Sequence, residues 1–315
     1  MVRRLAIAAT LGMFLVLLMG ATVTNTGSAE GCGRSWPLCN GKLVPEFAVA
    51  SMIEYGHRAI TGVVGLLIFA LSWAAWSRWR ANGEVRVLVG LMLGFLLLQS
   101  LMGAWAVLSP QSPLVLALHF GISLVAFASV FLTMTFVLEQ EHDVAHLRDR
   151  PAPAGFRRAA WMATAYVLAV VYLGAYVQHT NSQLACLDWP LCNGALFPGF
   201  DGAVGIMFAH RLAALGSVVL LGGLAVWAAR FRDTRPDLFY GSLAAFALVV
   251  LQALSGGLVV LTRLSLWSTL SHAGIMALLF ASLSSVCLRA LPPPRARVSK
   301  AAPSPSLHRS PVESR

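Results

Sequence analysis

Trp36-Pro37-Leu38-Cys39-Asn40-Gly41 returns 153 residues later as Trp189-Pro190-Leu191-Cys192-Asn193-Gly194. The same offset carries His57-Arg58 onto His210-Arg211 and His119 onto His272, so two histidine pairs share an internal separation of 62 residues. A repeat that preserves chemistry-bearing residues together with their spacing marks a duplicated unit. Further upstream, Gly20, Val23, Thr26, Ser28 and Cys32 match Gly174, Val177, Thr180, Ser182 and Cys186 at an offset of 154. The one-residue change falls between the paired cysteines, Cys32-x6-Cys39 in the first copy and Cys186-x5-Cys192 in the second.

The surroundings of the repeat are apolar. Hydrophobic residues make up 57% of the chain and charged residues 11%, a composition that excludes an ordinary soluble domain and points to a polytopic membrane protein. Runs long enough to cross a bilayer, about 20 residues each, lie at roughly 5–25, 56–77, 86–108, 113–138, 158–178, 205–229, 239–262 and 267–290. The expected fold is therefore an all-α membrane protein of eight transmembrane helices, arranged as two parallel-repeat four-helix bundles. Residues 1–140 form the first bundle, 141–157 a linker, and 158–291 the second bundle. Residues 292–315 form a basic tail, rich in Pro and Ser, that is too poor in apolar residues to pack. Arg3-Arg4 ahead of the first run resembles the start of a signal peptide. The matching segment of the second copy is internal, however, so the first is read as a retained helix.

The formal net charge of +10 is not a nucleic-acid signature, because 18 of the 23 basic residues fall on alternate loops and the tail. By the positive-inside rule this places both termini in the cytoplasm and the cysteine loops on the outer face. Four crossings per half give the two halves the same orientation, as parallel repeats about an axis along the membrane normal.

An ionisable side chain inside an apolar segment is expensive and therefore functional by default. His57 stands close to the start of the second segment and His119 six residues after Pro113, near the start of the fourth. Both segments run inward from the outer face, so the imidazoles lie at similar depth, and the same holds for His210 and His272. Two imidazoles on facing helices of a four-helix bundle make an axial clamp for haem iron. Gly62, Gly103, Gly121, Gly256, Gly257 and Gly274 are available to admit a flat macrocycle. Other metals want more ligands than each pair offers. Arg58 and Arg211 are candidates either for haem propionates or for snorkelling to headgroups. Gln99 and Gln252, also matched, are candidates for a bond to the cofactor or for polar contacts between helices.

The copies differ at one position that matters. Glu54, three residues before His57 and on the same helix face, is answered by Met207. Glu54 reads as the only carboxylate inside or at the edge of an apolar segment, either as a reactive group or as a solvent-facing residue at a helix N-terminus. Each cysteine pair reads as a structural staple over the bundle mouth or as a redox pair in an oxidising compartment. Zinc lacks four suitably spaced ligands, His179 near Cys186 being the nearest addition. Cys287, inside the last segment, reads as a packing residue. His142 and His146 have metal-ligand spacing on a helix, but among Glu141 and Asp143 they read as a solvated linker.

On Glu54-Tyr55-Gly56-His57-Arg58, His119, His210-Arg211, His272 and both cysteine pairs, the chain resembles the haem A synthase family over about residues 5–290. The resemblance implies eight helices in two pseudo-equivalent bundles. It implies haem b as resident cofactor on His210 and His272, and haem O as substrate at His57 and His119. The implied reaction is oxidation of the C8 methyl group of haem O to a formyl group by successive hydroxylation. Glu54 is then the candidate catalytic residue, for proton transfer at that methyl or for stabilising positive charge. The resemblance also implies disulfides Cys32–Cys39 and Cys186–Cys192, a bacterial plasma-membrane location, and haem O synthase and cytochrome oxidase assembly factors as partners. Three other readings use parts of the same residues. They are a dihaem transmembrane electron carrier, a thiol oxidoreductase built on the cysteines, and a haem transporter; none of them requires a carboxylate in one copy only.

Overall fold

A computed structural model describes residues 1–109, 112–142, 147–148 and 150–292. The expected tail beyond Pro292 and the linker residue His146 lie outside the described residues, as does the side chain of His142. Eight helices are present among them: α1 (Val2–Asn25), α2 (Val49–Trp79), α3 (Gly83–Leu108), α4 (Pro113–His142), α5 (Ala154–His179), α6 (Gly202–Ala229), α7 (Pro236–Leu261) and α8 (Leu266–Ala290). All eight are long and apolar enough to cross a membrane. Their outward faces are apolar too: Val63, Leu66 and Trp73 of α2 are 60%, 71% and 76% exposed, as side chains facing lipid should be.

Within each half, consecutive helices pack on one another and the first also packs on the fourth, α1 on α4 and α5 on α8. The halves meet through α4 against α5 and α8, and through α1 against α8. Close approach there depends on small residues. Gly121 of α4 lies under the ring of Tyr172 of α5, which leaves no room for a Cβ, and Gly274 of α8 lies under Phe14 and Leu18 of α1. Two glycines expected to make room for a macrocycle thus serve the seam between the halves. Gly257, a third, receives the indole of Trp189.

Most helices are longer than the apolar runs that announce them. Hydrophobicity marks only the hydrocarbon layer, about 30 Å thick, whereas the 31 residues of α2 span about 46 Å. Extra turns at the linker end carry polar residues into the protein. Asn82 caps α3 by accepting from the amide of Glu84. Pro236 occupies the first turn of α7, where its missing N–H costs nothing.

Those extra turns hold ion pairs the sequence does not announce, and they correct the expectation that Glu54 is the sole carboxylate at an apolar segment. Glu84 is buried and takes two hydrogen bonds, at 2.9 and 2.8 Å, from Arg148 of the linker. Arg148 also donates to the carbonyl of Leu288 in α8. Arg235 is paired with Asp237 and donates to the carbonyls of Arg150 and Arg289, while Arg289 reaches Glu139 of α4. The linker is thereby tied to both halves.

Candidate functional site

The duplicated cysteine loops have a common local cause. Asn40-Gly41 and Asn193-Gly194 all have positive φ, which Asn and Gly tolerate best, and they form a tight turn. The turn is closed by reciprocal backbone bonds between Cys39 and Lys42 and between Cys192 and Ala195. Cys32 and Cys39 are joined by a disulfide, as are Cys186 and Cys192, with Cα–Cα distances of 4.4 and 4.6 Å. Cys287 is a free, buried thiol beside Thr164.

Both arginines that follow the histidines hold these loops. Arg58 donates to the carbonyls of Ser35 and Leu38 at 2.8 and 2.7 Å. Arg211 donates to the carbonyls of Leu191 and Cys186. The guanidinium fork matches the converging carbonyls of a tight loop, a geometry lysine could not reproduce.

Beneath the first loop the copies diverge. Glu54 is 4% exposed, in the second turn of α2, so the reading of a solvent-facing helix-terminal carboxylate is excluded. Its Oε2 accepts from the backbone N–H of Cys32 at 2.8 Å, and its Oε1 is ion-paired with Arg58. A single carboxylate thus joins the disulfide loop to the arginine. In the second half Met207 fills this place and packs against Cys186, Cys192, Val177 and Val260 in a small apolar cluster.

The histidines keep identical register. His57 and His210 are each the ninth residue of their helix, α2 and α6, and His119 and His272 are each the seventh of α4 and α8. Every imidazole lies against a glycine of a neighbouring helix. A Cβ on Gly20 would be 3.0 Å from His57 Nε2, on Gly174 2.7 Å from His210 Cε1, on Gly103 3.4 Å from His119 Cε1, and on Gly256 3.2 Å from His272 Cε1. These glycines are themselves matched pairs of the repeat, so the seats were duplicated along with the side chains. His57 and His119 lie within electrostatic reach of one another, and so do His210 and His272.

The site fits a bis-histidine haem. His119 Nδ1 and His210 Nδ1 are buried with no hydrogen-bond partner, as are the Oε1 atoms of Gln99 and Gln252. Buried polar atoms are almost always paired, and those that are not call for a bound group. Among the described residues no cluster of three or more His, Cys, Asp or Glu could hold a bare metal ion. Two imidazoles per half suit a metal whose other ligands come with it. Gln252 and Ser255 both bond the ring of His272. Ser255 has no mark in the sequence except that the repeat replaces it with Met102.

Eight helices long and apolar enough to span a membrane, two histidine pairs in one register and a buried carboxylate beside only one of them define a polytopic membrane protein with a duplicated histidine site. The chain belongs to the family described as Cytochrome oxidase assembly protein (COX15-CtaA), whose model matches residues 44–284. It is 42% identical over 305 residues to a protein of Symbiobacterium thermophilum named heme A synthase, covering 95% of this chain and 99% of that one. It is 42% identical to the heme A synthase of Geobacillus kaustophilus, over 94% of this chain and 93% of that one. With the heme A synthase of Alkalihalophilus pseudofirmus the identity is 40%, over 89% and 94%.

Proposed function

We propose that this chain is a haem A synthase of the bacterial plasma membrane, oxidising the C8 methyl group of haem O to a formyl group by successive hydroxylation. The observation that carries this reading is the buried Glu54, set in a histidine frame that is otherwise duplicated and answered there by Met207. An electron carrier or a transporter has no need of a carboxylate in one copy only; a synthase, with one reacting site, does.

In this reading His57 and His119 bind the substrate haem O, and His210 and His272 hold haem b as resident cofactor. When bound, the cofactor supplies one-electron redox chemistry. Glu54 presents a fixed negative charge, kept in place by Arg58 and by the amide of Cys32. Preorganised charge in a water-poor site stabilises positive charge developing at the methyl carbon. The same carboxylate, one turn before His57 on α2, would accept a proton leaving that carbon. The first disulfide positions the Cys32 N–H and closes the loop over the substrate half. Both termini are cytoplasmic and the cysteine loops lie on the outer face, by the charge asymmetry of the loops. The bilayer, haem O synthase and cytochrome oxidase assembly factors are its partners.

Pigment extraction from the purified protein tests the reading. Haem B together with haem O or haem A is the expected content; haem B alone, in a host that makes haem O, would make the protein a carrier.

A further inference from the structure

The two clamps differ at a second place, and the difference concerns how firmly a ligand is held. In the second half, Ser255 of α7 donates its hydroxyl to the carbonyl of Gln252 at 2.9 Å. Its oxygen lies 2.8 Å from Nδ1 of His272 on α8. With its one proton directed to that carbonyl, Ser255 is left to accept, which favours the ring proton on Nδ1. The Gln252 amide nitrogen lies 3.2 Å from Nδ1 and 3.0 Å from Nε2, and it can donate only to the ring nitrogen that keeps a lone pair. The relay from His272 through Ser255 to the backbone therefore favours the tautomer with its lone pair on Nε2, the atom that would bind a metal in place of the Gln252 amide.

The first half keeps the glutamine and the histidine but not the relay. Gln99 and His119 occupy the corresponding positions, and Met102 replaces Ser255. Met102 is buried and supplies no acceptor, and His119 Nδ1 has no partner. Ligand imidazoles are oriented and made more basic by the group that accepts their other N–H, and loss of that group weakens metal binding by roughly 10–100-fold.

We infer that Ser255 is a positioning residue that makes the second half a permanent haem site, and that Met102 leaves His119 unpinned so that haem at the first half is exchangeable. The inference rests on the reading above, in which one half keeps its haem and the other takes in substrate and releases product. It assigns the difference in residence to one ligand of each clamp, His272 against His119, since His210 Nδ1 is without a partner as well.

The test uses the purified holoprotein and three variants, with His272→Ala as a fourth that checks the ligand itself. Ser255→Ala removes the acceptor, Ser255→Thr retains a hydroxyl, and Met102→Ser installs one in the first half. Haem b transfer to excess apomyoglobin and the low-temperature EPR spectrum of the low-spin ferric haem are recorded for each. Ser255→Ala is expected to lose haem b about tenfold faster or more and to shift the low-spin g values, while Ser255→Thr stays near wild type in both. Met102→Ser is expected to retain the first-half haem longer and to lower kcat. Wild-type loss rate and spectrum in Ser255→Ala would overturn the inference, as would unchanged residence of the first-half haem in Met102→Ser. A resident haem that survives His272→Ala would instead overturn the ligand assignment on which it stands.

Discussion

Substituting Gly174 by Ala should loosen the resident haem far more than a change of one methyl group ordinarily would. The added carbon would stand 2.7 Å from Cε1 of His210, 3.3 Å from Nε2 and 3.4 Å from Nδ1. Carbon atoms settle at about 3.5–4.0 Å from one another, so the ring must give way by about 0.8 Å or more. Rotation offers little relief, because three ring atoms are already within 3.4 Å and turning one away brings another in. Overpacking of this kind costs about 1–3 kcal/mol, equivalent to roughly 5- to 150-fold in haem affinity if the whole strain falls on the ligand. Gly256→Ala, with its nearest contact at 3.2 Å, should lie at the lower end of that range. Gly223→Ala meets nothing within 4 Å and should leave haem untouched, since alanine is the better helix former. Haem per polypeptide and the rate of loss to apomyoglobin measure the series. Wild-type retention in Gly174→Ala, or equal losses in all three variants, would refute the idea that these glycines seat the imidazoles.

Two further outcomes follow from charged groups away from the haem sites. Glu84→Ala leaves the Arg148 guanidinium buried without its carboxylate, which should cost about 3–5 kcal/mol and appear as a lower midpoint in detergent unfolding. The double variant with Arg148→Met should recover much of that loss, and failure to recover would mean that the pair does not act as a unit. In the second cysteine loop, hydrogen bonds from the amides of Gly194 and then Asn193 hold the Asp188 carboxyl below its ordinary 3.8. A depressed value means that this support is fully present above about pH 4 and fades only as the pH falls through the lowered value. Limited proteolysis of the loop should therefore be flat from pH 8 to 5 and rise only in stronger acid. Loosening between pH 7 and 5 would assign the loop's stability to a histidine instead.

The legible part of this fold is what a bilayer makes legible. Each span must hide its backbone in a helix and show apolar side chains to lipid, so all eight helices stand out as apolar runs. The repeat then brings out the four histidines and the lone Glu54. What the apolar runs miss is what lies past the hydrocarbon edge. Glu84, Glu139 and Asp237 sit in the extra turns of α3, α4 and α7; Asp237 pairs with its near neighbour Arg235, but the partners of Glu84 and Glu139, Arg148 and Arg289, come from distant parts of the chain. No local pattern pairs residues 64 or 150 positions apart.

The site was readable as positions but not as bonds. Glu54 next to His57 follows from helix periodicity, yet its hold on the Cys32 amide depends on how a loop 22 residues away folds back. The bonds from Arg58 and Arg211 to the cysteine loops are likewise invisible, because the carbonyls of a folded loop leave no trace in sequence. Ser255 is legible only in retrospect, as one of many positions where the copies differ. Matched residues in this chain locate the sites, and unmatched ones differentiate them.

The most direct test of the whole account is Glu54→Gln, which keeps the side chain's size and an oxygen for the Cys32 amide while removing the charge. Haems extracted from the variant and the wild type, both made in cells supplied with haem O, are compared by chromatography. The account expects the variant to hold haem B and haem O with no haem A; haem A in the wild-type proportion would contradict it.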